Sequence, residues 1–322
     1  MKVEIYSSRH TNSWNAFLKQ ANNASFLFHR DFMEYHKDRF CDHSLLIYDT
    51  DKLIALVPAH IQDQVLCSHF GLSYGGIIHT SALTLSHFLS ILEAIADHCK
   101  KQNITALILN EIPSIYQTIS NNYLSFVSYA LQASIQNIQL FSTVDFSAPL
   151  TLNTNRKRMV QKGMRQGYFI QEDQSATSFW QEILIPRLQE RYQTSPIHSL
   201  EEITTLMRTF PQAIKQFNVY NAQGELVGGT LLFIHPHVVH LQYIAGKEED
   251  NAQGALDLLI YTLLEQYKTS VRYFDFGSSH ISPKQVNPGL LYWKESFGAR
   301  SIPQYCYVFN MDNLSKARGI ID

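Results

Sequence analysis

The spacing of apolar residues changes along the chain, and the changes mark the elements. In the second half, Gly228 to Phe233 is a short apolar run after the turn Asn221–Ala222–Gln223–Gly224. His235–Pro236–His237 interrupts it and Val238 to Ala245 resumes it, which predicts a hairpin. Gly246 to Gln253 is polar and ends at Gly254; from Ala255 to Tyr267 the spacing of Leu258, Leu259, Thr262 and Leu263 becomes helical. Tyr273 to Ser279 predicts a buried strand ending in a glycine turn, and Asn287–Pro288–Gly289 opens a short helix, Leu290 to Phe297, closed by Gly298.

The first half repeats the theme. Met1 to Tyr6 alternates as a strand, and a helix capped by Thr11 or Asn12 runs to Ala21. Phe26 to His36 begins another helix, and Ser44 to Tyr48 with Leu53 to Ile61 forms a hairpin about Asp49–Thr50–Asp51–Lys52. Val65 to Ser68 is a strand leading to Gly71–Leu72–Ser73–Tyr74–Gly75–Gly76. Leu85 to Gln102 is a long amphipathic helix, Thr105 to Leu109 a strand, Ser114 to Gln132 a helix and Ile138 to Asp145 a strand. A join falls near Ser147 to Asn155, so two domains are expected, 1–150 and 151–322. Beyond it, Thr154 or Asn155 caps a basic helix, Arg156 to Gln166. Tyr168 to Gln171 is a strand, Phe179 to Gln193 a helix with Pro186 inside it, and Ser199 with Glu202 a capping box. Phe217 to Tyr220 is the strand before the hairpin.

A hydrophobic content of 45% with 12% aromatics excludes a disordered chain. The net charge of −2 confines any nucleic-acid contact to a local patch, of which the Arg156 to Arg165 helix is the candidate. Four scattered cysteines without a Cys-x-x-Cys point to a reduced, cytoplasmic protein. Met1 to His10 lacks an apolar core, so no signal peptide is expected, and no apolar run reaches the ~18 residues of a membrane span.

Three motifs suggest other chemistry. Gly71-x-Ser73-x-Gly75 satisfies the serine-hydrolase elbow pattern, yet Gly76 to His79 continues extended where an elbow needs a helix. His235-x-His237-x-x-His240 resembles a metal cluster, but on a strand the third histidine points opposite the first two; no metal is predicted. Asp275, Ser278 and His280 lie on one short turn, too close together for a triad, and Asp275 reads as a strand-end residue that orients loops.

The glycines Gly228–Gly229, the pair Gly254–Ala255, the strand Phe274–Asp275–Phe276–Gly277 and the run Gly289–Leu290–Leu291–Tyr292–Trp293–Lys294–Glu295–Ser296–Phe297–Gly298 resemble the C-terminal half of the GCN5-related N-acetyltransferase (GNAT) superfamily, and within it the Fem-type aminoacyltransferases of peptidoglycan synthesis. Asn155 to Gly163 resembles the basic helix that opens the second domain of that branch. The resemblance implies an α/β (α+β) fold: two tandem GNAT-like domains, each a mixed, mostly antiparallel sheet flanked by helices, sharing a central cleft. It implies acyl transfer to an amine by direct attack, from acyl-CoA or from aminoacyl-tRNA, with a small-molecule or cell-wall precursor as acceptor. A near-neutral charge with a single basic helix favours acyl-CoA over tRNA. A relative that keeps the fold without catalysis is a further alternative.

In this resemblance Lys294 stabilises the tetrahedral oxyanion, and Tyr243 and Tyr292 are the candidate proton donors. Gln242, Ile244 and Ala245 on the hairpin strand would bond the donor, while Gln253, Gly254 and Ala255 at the helix start would hold its phosphates, since a helix N-terminus presents unpaired N–H groups. Tyr74, Gly75, Asp275 and Ser278 are the acceptor-side candidates. The loop reads Asp250-x-x-Gln253-Gly254-Ala255, a departure from the Gln/Arg-x-x-Gly-x-Gly/Ala of ordinary acetyltransferases.

Overall fold

A computed structural model describes residues 1–321. The chain divides into two compact units, residues 1–139 with the segment from Pro303 onward, and residues 140–302. A single break near residue 150 does not anticipate that return: the final strand pairs with the first unit.

The first unit opens with β1 (Lys2–Ile5) and α1 (Thr11–Leu18), followed by a one-turn helix α2 (Arg30–Met33). Phe26 to His36 is therefore a series of short turns and not one helix. His36 takes a non-helical conformation, and the Arg30 guanidinium turns inward onto Glu34 and Asp42. β2 (Leu45–Asp49) and β3 (Lys52–Val57) form the expected hairpin, flanked by β1 and by β6 (Ile78–His79). β4 (Ala59–Gln62) and β5 (Val65–Ser68) make a second antiparallel pair, and β5 runs parallel to β7 (Ala106–Asn110). α3 (Leu85–Lys101), capped by the Thr84 hydroxyl, buries Phe88, Leu92, Ile95 and Cys99 in the core of this unit.

Ser114 to Gln132 is not a continuous helix. Only Ser114–Tyr116 turns, and α4 spans Tyr123–Ala130. The backbone between is held by Asn22, which accepts from the Thr118 and Ile119 amides through its carbonyl and side-chain oxygens. A long-range partner has thus replaced the helical hydrogen bonds that local propensity favours.

β8 (Ser134–Asp145) carries the chain into the second unit. There α5 (Thr154–Arg165) is capped by Asn153, one residue before the expected cap, whose side chain accepts from the Arg156 amide at 2.8 Å. β9 (Phe169–Asp173) follows, then a helix whose segment Phe179–Leu184 is π-wound before α6 (Ile185–Tyr192). Pro186 lacks an N–H to donate, and the wider turn lies just upstream of it. The capping box at Ser199 and Glu202 opens α7 (Leu200–Thr209) as expected. β10 (Ile214–Tyr220), β11 (Leu226–Ile234) and β12 (Val238–Gly246) form an antiparallel meander with β9 at its edge. The expected polar loop after β12 contains one helical turn, α8 (Glu248–Asn251), before α9 (Ala255–Tyr267). β13 (Tyr273–Ser278) lies between β12 and β8, parallel to the first and antiparallel to the second. The small ribbon β14 (His280–Ser282) with β15 (Gln285–Val286) leads to α10 (Pro288–Glu295), and β16 (Arg300–Asn310) returns the chain to the first unit beside β7, ahead of α11 (Met311–Leu314). The core of the second unit packs Leu258, Leu259 and Leu263 of α9 onto Val239 and Leu241 of β12 and Phe274 of β13. The fold class is the expected α/β one, with mixed sheets flanked by helices.

Candidate active site

The parallel ladder between β12 and β13 is short. It pairs Val238, Val239 and His240 with Tyr273, Phe274 and Asp275, and ends there. Beyond that point β12 stays with β11, through a bulge that leaves Gln242 unmatched between Leu241↔Leu232 and Tyr243↔Leu231. β13 stays with β8, paired from Tyr273↔Asp145 to Asp275↔Thr143 and, past an irregularity, at Ser278↔Phe141. The two strands therefore part just past His240 and Asp275, leaving backbone groups on their facing edges without ladder partners.

Lys294 lies at this opening. It is 4% exposed, so it is not the surface lysine that its charge suggests. Its ammonium donates to the carbonyls of Gly277 at 2.9 Å and Ser278 at 2.7 Å. Burial pushes it down to about 8, against the pull of Asp275, which raises it. Asp275 is fully buried; its Oδ1 accepts the Gly277 N–H at 2.8 Å and its Oδ2 lies 2.9 Å from His240 Nδ1. The Asp275–Ser278–His280 arrangement is not assembled. Asp275 takes His240 as its partner, and His280 Nε2 accepts the Leu140 amide at 3.2 Å.

Tyr243 is half-buried on β12. Its ring stands edge-on to Trp180 at 5.0 Å, and its hydroxyl meets His198 Nδ1 at 2.7 Å. Burial raises the tyrosine, so it stays protonated. Tyr292 is 53% exposed, with its hydroxyl accepting from Asn153 at 3.3 Å. Ile244 is half-buried and Ala245 buried on β12, opposite Thr230 and Gly229.

α5 packs against the start of α9. Gly254 has φ +94, and a Cβ there would overlap the Met159 carbonyl oxygen of α5. A Cβ on Gly163 would lie 2.6 Å from the Gly254 carbonyl oxygen. The small residues thus let α5 approach, where the sequence suggested room for a ligand. Gln253 is half-buried and Ala255 fully buried. Further contacts tie the preceding loop: Lys162 donates to the Ala252 carbonyl, Tyr168 to Asp250 at 2.6 Å, Asn251 to the Gly246 carbonyl, and Arg187 pairs with Glu248. Glu248, Glu249 and Asp250 on this loop are matched by Lys247, Lys162 and Arg187.

The basic helix is only partly a charged surface. Arg156 is buried, ion-paired with Asp257, bonded to Ser296 Oγ at 2.9 Å and stacked over Phe297. Trp293 Nε1 donates to the same Asp257 oxygen at 2.9 Å. Lys157, Arg158 and Arg165 remain exposed.

In the first unit, Tyr74 is 2% exposed, packed between Phe28 and Tyr116, so its ring is core rather than an acceptor contact. Gly75 donates its N–H to the Asn110 carbonyl and lines a cleft with Asn23, His79, Glu111 and Gln117. Burial raises the Glu111 carboxyl to about 7. Gly71 to Gly75 runs on to β6 with no helix, so the hydrolase elbow is not formed. Sequence reading singled out neither His198 nor the contact of His240 with Asp275. No local signal marks His198, and the second contact depends on a parallel register 35 residues apart in the chain.

Among the described residues no group of histidine, cysteine and acidic side chains has the geometry to hold a metal, and no helix is long and apolar enough to cross a membrane.

Residues 153–284 match the family model described as an acetyltransferase (GNAT) domain, a domain that supports acyl transfer as a class of reaction. No curated protein matches the chain. Among solved structures, FemX superposes with a TM-score of 0.68 at 11% identity, covering 97% of this chain and 98% of its own. The C-terminal domain of a protein from Agrobacterium fabrum, described as a lysylphosphatidylglycerol synthetase, gives 0.61 at 12% identity over 97% and 95%. A tandem GNAT protein from the clavulanic acid biosynthesis pathway gives 0.51 at 10% over 96% and 99%. Residues 153–284 resemble the GNAT acetyltransferase domain in sequence, and over nearly its whole length the chain shares the fold of FemX.

Proposed function

We propose that the protein transfers an acyl or aminoacyl group to an amine by direct attack, with the reacting carbonyl in the opening between β12 and β13. The observation that carries this is Lys294, buried with its ammonium on the Gly277 and Ser278 carbonyls where the two strands have just parted. An ammonium has three protons and these bonds use two, so one is left to meet a developing oxyanion. Unpaired backbone groups on β12 and β13 would bind an extended donor as an added strand binds a sheet edge. Tyr243, held by His198, is the proton donor for the leaving group. Asp275 and Ser278 serve the acceptor side through the loop they shape.

Acyl-CoA and aminoacyl-tRNA differ in what they ask of α9. A CoA diphosphate needs an open, electropositive helix start. Here α5 packs against Gly254, and Glu248, Glu249 and Asp250 precede it, which favours an aminoacyl donor held elsewhere. Exposed Lys157, Arg158 and Arg165 offer such a donor a local phosphate contact. The acceptor in this reading is an amine of a cell-wall precursor, the class to which the Fem-type resemblance points.

The test pairs two measurements on the full chain. Melting temperature is followed with CoA and acetyl-CoA up to millimolar concentration, and transfer of labelled amino acids from a charged tRNA pool is followed to a lysine-containing muramoyl pentapeptide. Transfer that disappears in Lys294→Met, without a CoA shift, is the expected result. A saturable CoA shift abolished by Gly254→Ala would reverse the donor assignment. Absence of both transfer and CoA binding would overturn the enzyme reading.

A further inference from the structure

The register that ends the parallel ladder sets His240 directly beside Asp275, and their side chains meet on one face of the sheet. Asp275 is fully buried, and its other oxygen is taken by the Gly277 N–H. A buried carboxylate accepting from Nδ1 holds the ring proton on that nitrogen and leaves the lone pair on Nε2. His240 Nε2 has no hydrogen-bond partner among the described residues, and the side chain is 12% exposed. The ring also packs on the residue that Lys294 anchors: a Cβ on Gly277, at φ +69, would come within 3.3 Å of His240 Cε1. An oriented imidazole, a buried carboxylate behind it and a buried ammonium thus surround the point where the strands part.

We propose that His240 is the base that takes the proton from the attacking amine, and that Asp275 is the residue that positions it. The assignment rests on the acyl-transfer reading above. In the step, the nitrogen lone pair forms the C–N bond and the bond from the acyl carbon to the leaving oxygen or sulfur breaks, its electron pair departing with that atom. The proton lost by nitrogen goes to His240 Nε2, and the leaving atom takes one from Tyr243 or water. His240 passes its proton to the tyrosinate, or to the hydroxide left by a water donor, so the amine proton is matched by the one on the leaving atom and no co-reactant is needed. Asp275 stays ionised and steadies the imidazolium, while the third Lys294 proton meets the carbonyl oxygen.

The groups facing His240 are Asp275, His235 on the same hairpin and, across Asp275, Lys294. A pH profile is therefore read as a difference between variants. The experiment has two arms. In the first, long-range 15N NMR of the labelled full-length protein reads the tautomer of His240, with the resonance identified by its loss in His240→Gln. The Nδ1–H form is expected, shifting toward a mixture in Asp275→Asn. The Nε2–H form would overturn the proposal without reference to activity.

In the second arm, kcat/KM for the donor and acceptor that the wild type uses is followed from pH 5.5 to 9. His240→Gln should lose roughly 100-fold and flatten the acidic limb, in line with general-base contributions of about 10²–10⁴. Asp275→Asn should lose less while displacing that limb. Small added imidazole should restore part of the rate to His240→Gly and none to Lys294→Met. A His240→Gln enzyme within threefold of wild type, with the limb intact, sinks the assignment and leaves the transfer reading standing. No transfer by the wild type from any donor sinks that reading, and the first arm still decides the state of His240.

Discussion

Replacing Lys294 by Met tests the electrostatics of the site without knowing the substrate. Methionine fills nearly the same volume, so the change removes the charge and leaves the Gly277 and Ser278 carbonyls without their donor. Burial lowers the ammonium from the ordinary 10.5 to about 8. At about 1.4 kcal/mol per pH unit, that corresponds to roughly 3 kcal/mol set against folding while the group is charged. The sign follows from proton counts. Between pH 8 and 10.5 the unfolded lysine holds a proton that the folded one has released, so stability from this group rises with pH through that window. Below it the full penalty is present. Urea melts at pH 7.5 and 10 give the comparison: tyrosines and other lysines titrate in both proteins and cancel in the difference. The wild type should gain about 2–3 kcal/mol relative to Lys294→Met between those two pH values. Parallel stability curves would refute the reasoning, because they would mean that Lys294 is solvated as an ordinary surface lysine.

The other expectations concern the framework that holds the site. Burial drives His69, beside His36 and His60, and separately His235, beside His240, down to about 3. Below the unfolded value of 6.5 each resists a proton that the unfolded chain accepts, so stability should fall by about 1.4 kcal/mol per pH unit per histidine as pH drops; His69→Gln should remove one such contribution from the slope in urea melts from pH 7 to 5.5. Arg156→Met leaves Asp257 buried with only Trp293 as partner and should cost about 3–5 kcal/mol, most of it recovered by adding Asp257→Leu, as denaturant titration would show. Gly163→Ala forces α5 off the Gly254 carbonyl and should cost roughly 1–3 kcal/mol, whereas Gly289→Ala, with nothing nearer than 3.5 Å, should leave the melting temperature almost unchanged.

Elements whose causes are local could be read along the chain. The β11–β12 hairpin follows from two apolar runs around His235–Pro236–His237, α9 from leucines at helical spacing, and the α7 start from Ser199 and Glu202. The reading failed where a distant partner took over. Asn22 captured the backbone at Thr118 and Ile119 and broke a helix that composition favoured. The last strand left the second unit to pair with β7, a choice invisible to any window on the chain.

The same division runs through the site. The motif around Lys294 was recognisable, because residue types in order suffice for a resemblance. Its burial was not, since that requires the Gly277 and Ser278 carbonyls to come round from β13. Arg156 looked like one more charge on a basic helix until Asp257 and Phe297 closed over it. The alternation of strands and helices was legible along the chain, since it depends on neighbours a few positions away. Where β12 and β13 part, the contact of His240 with Asp275 and the packing of α5 on Gly254 were set by tertiary structure, because each depends on backbones brought together from far apart in the chain.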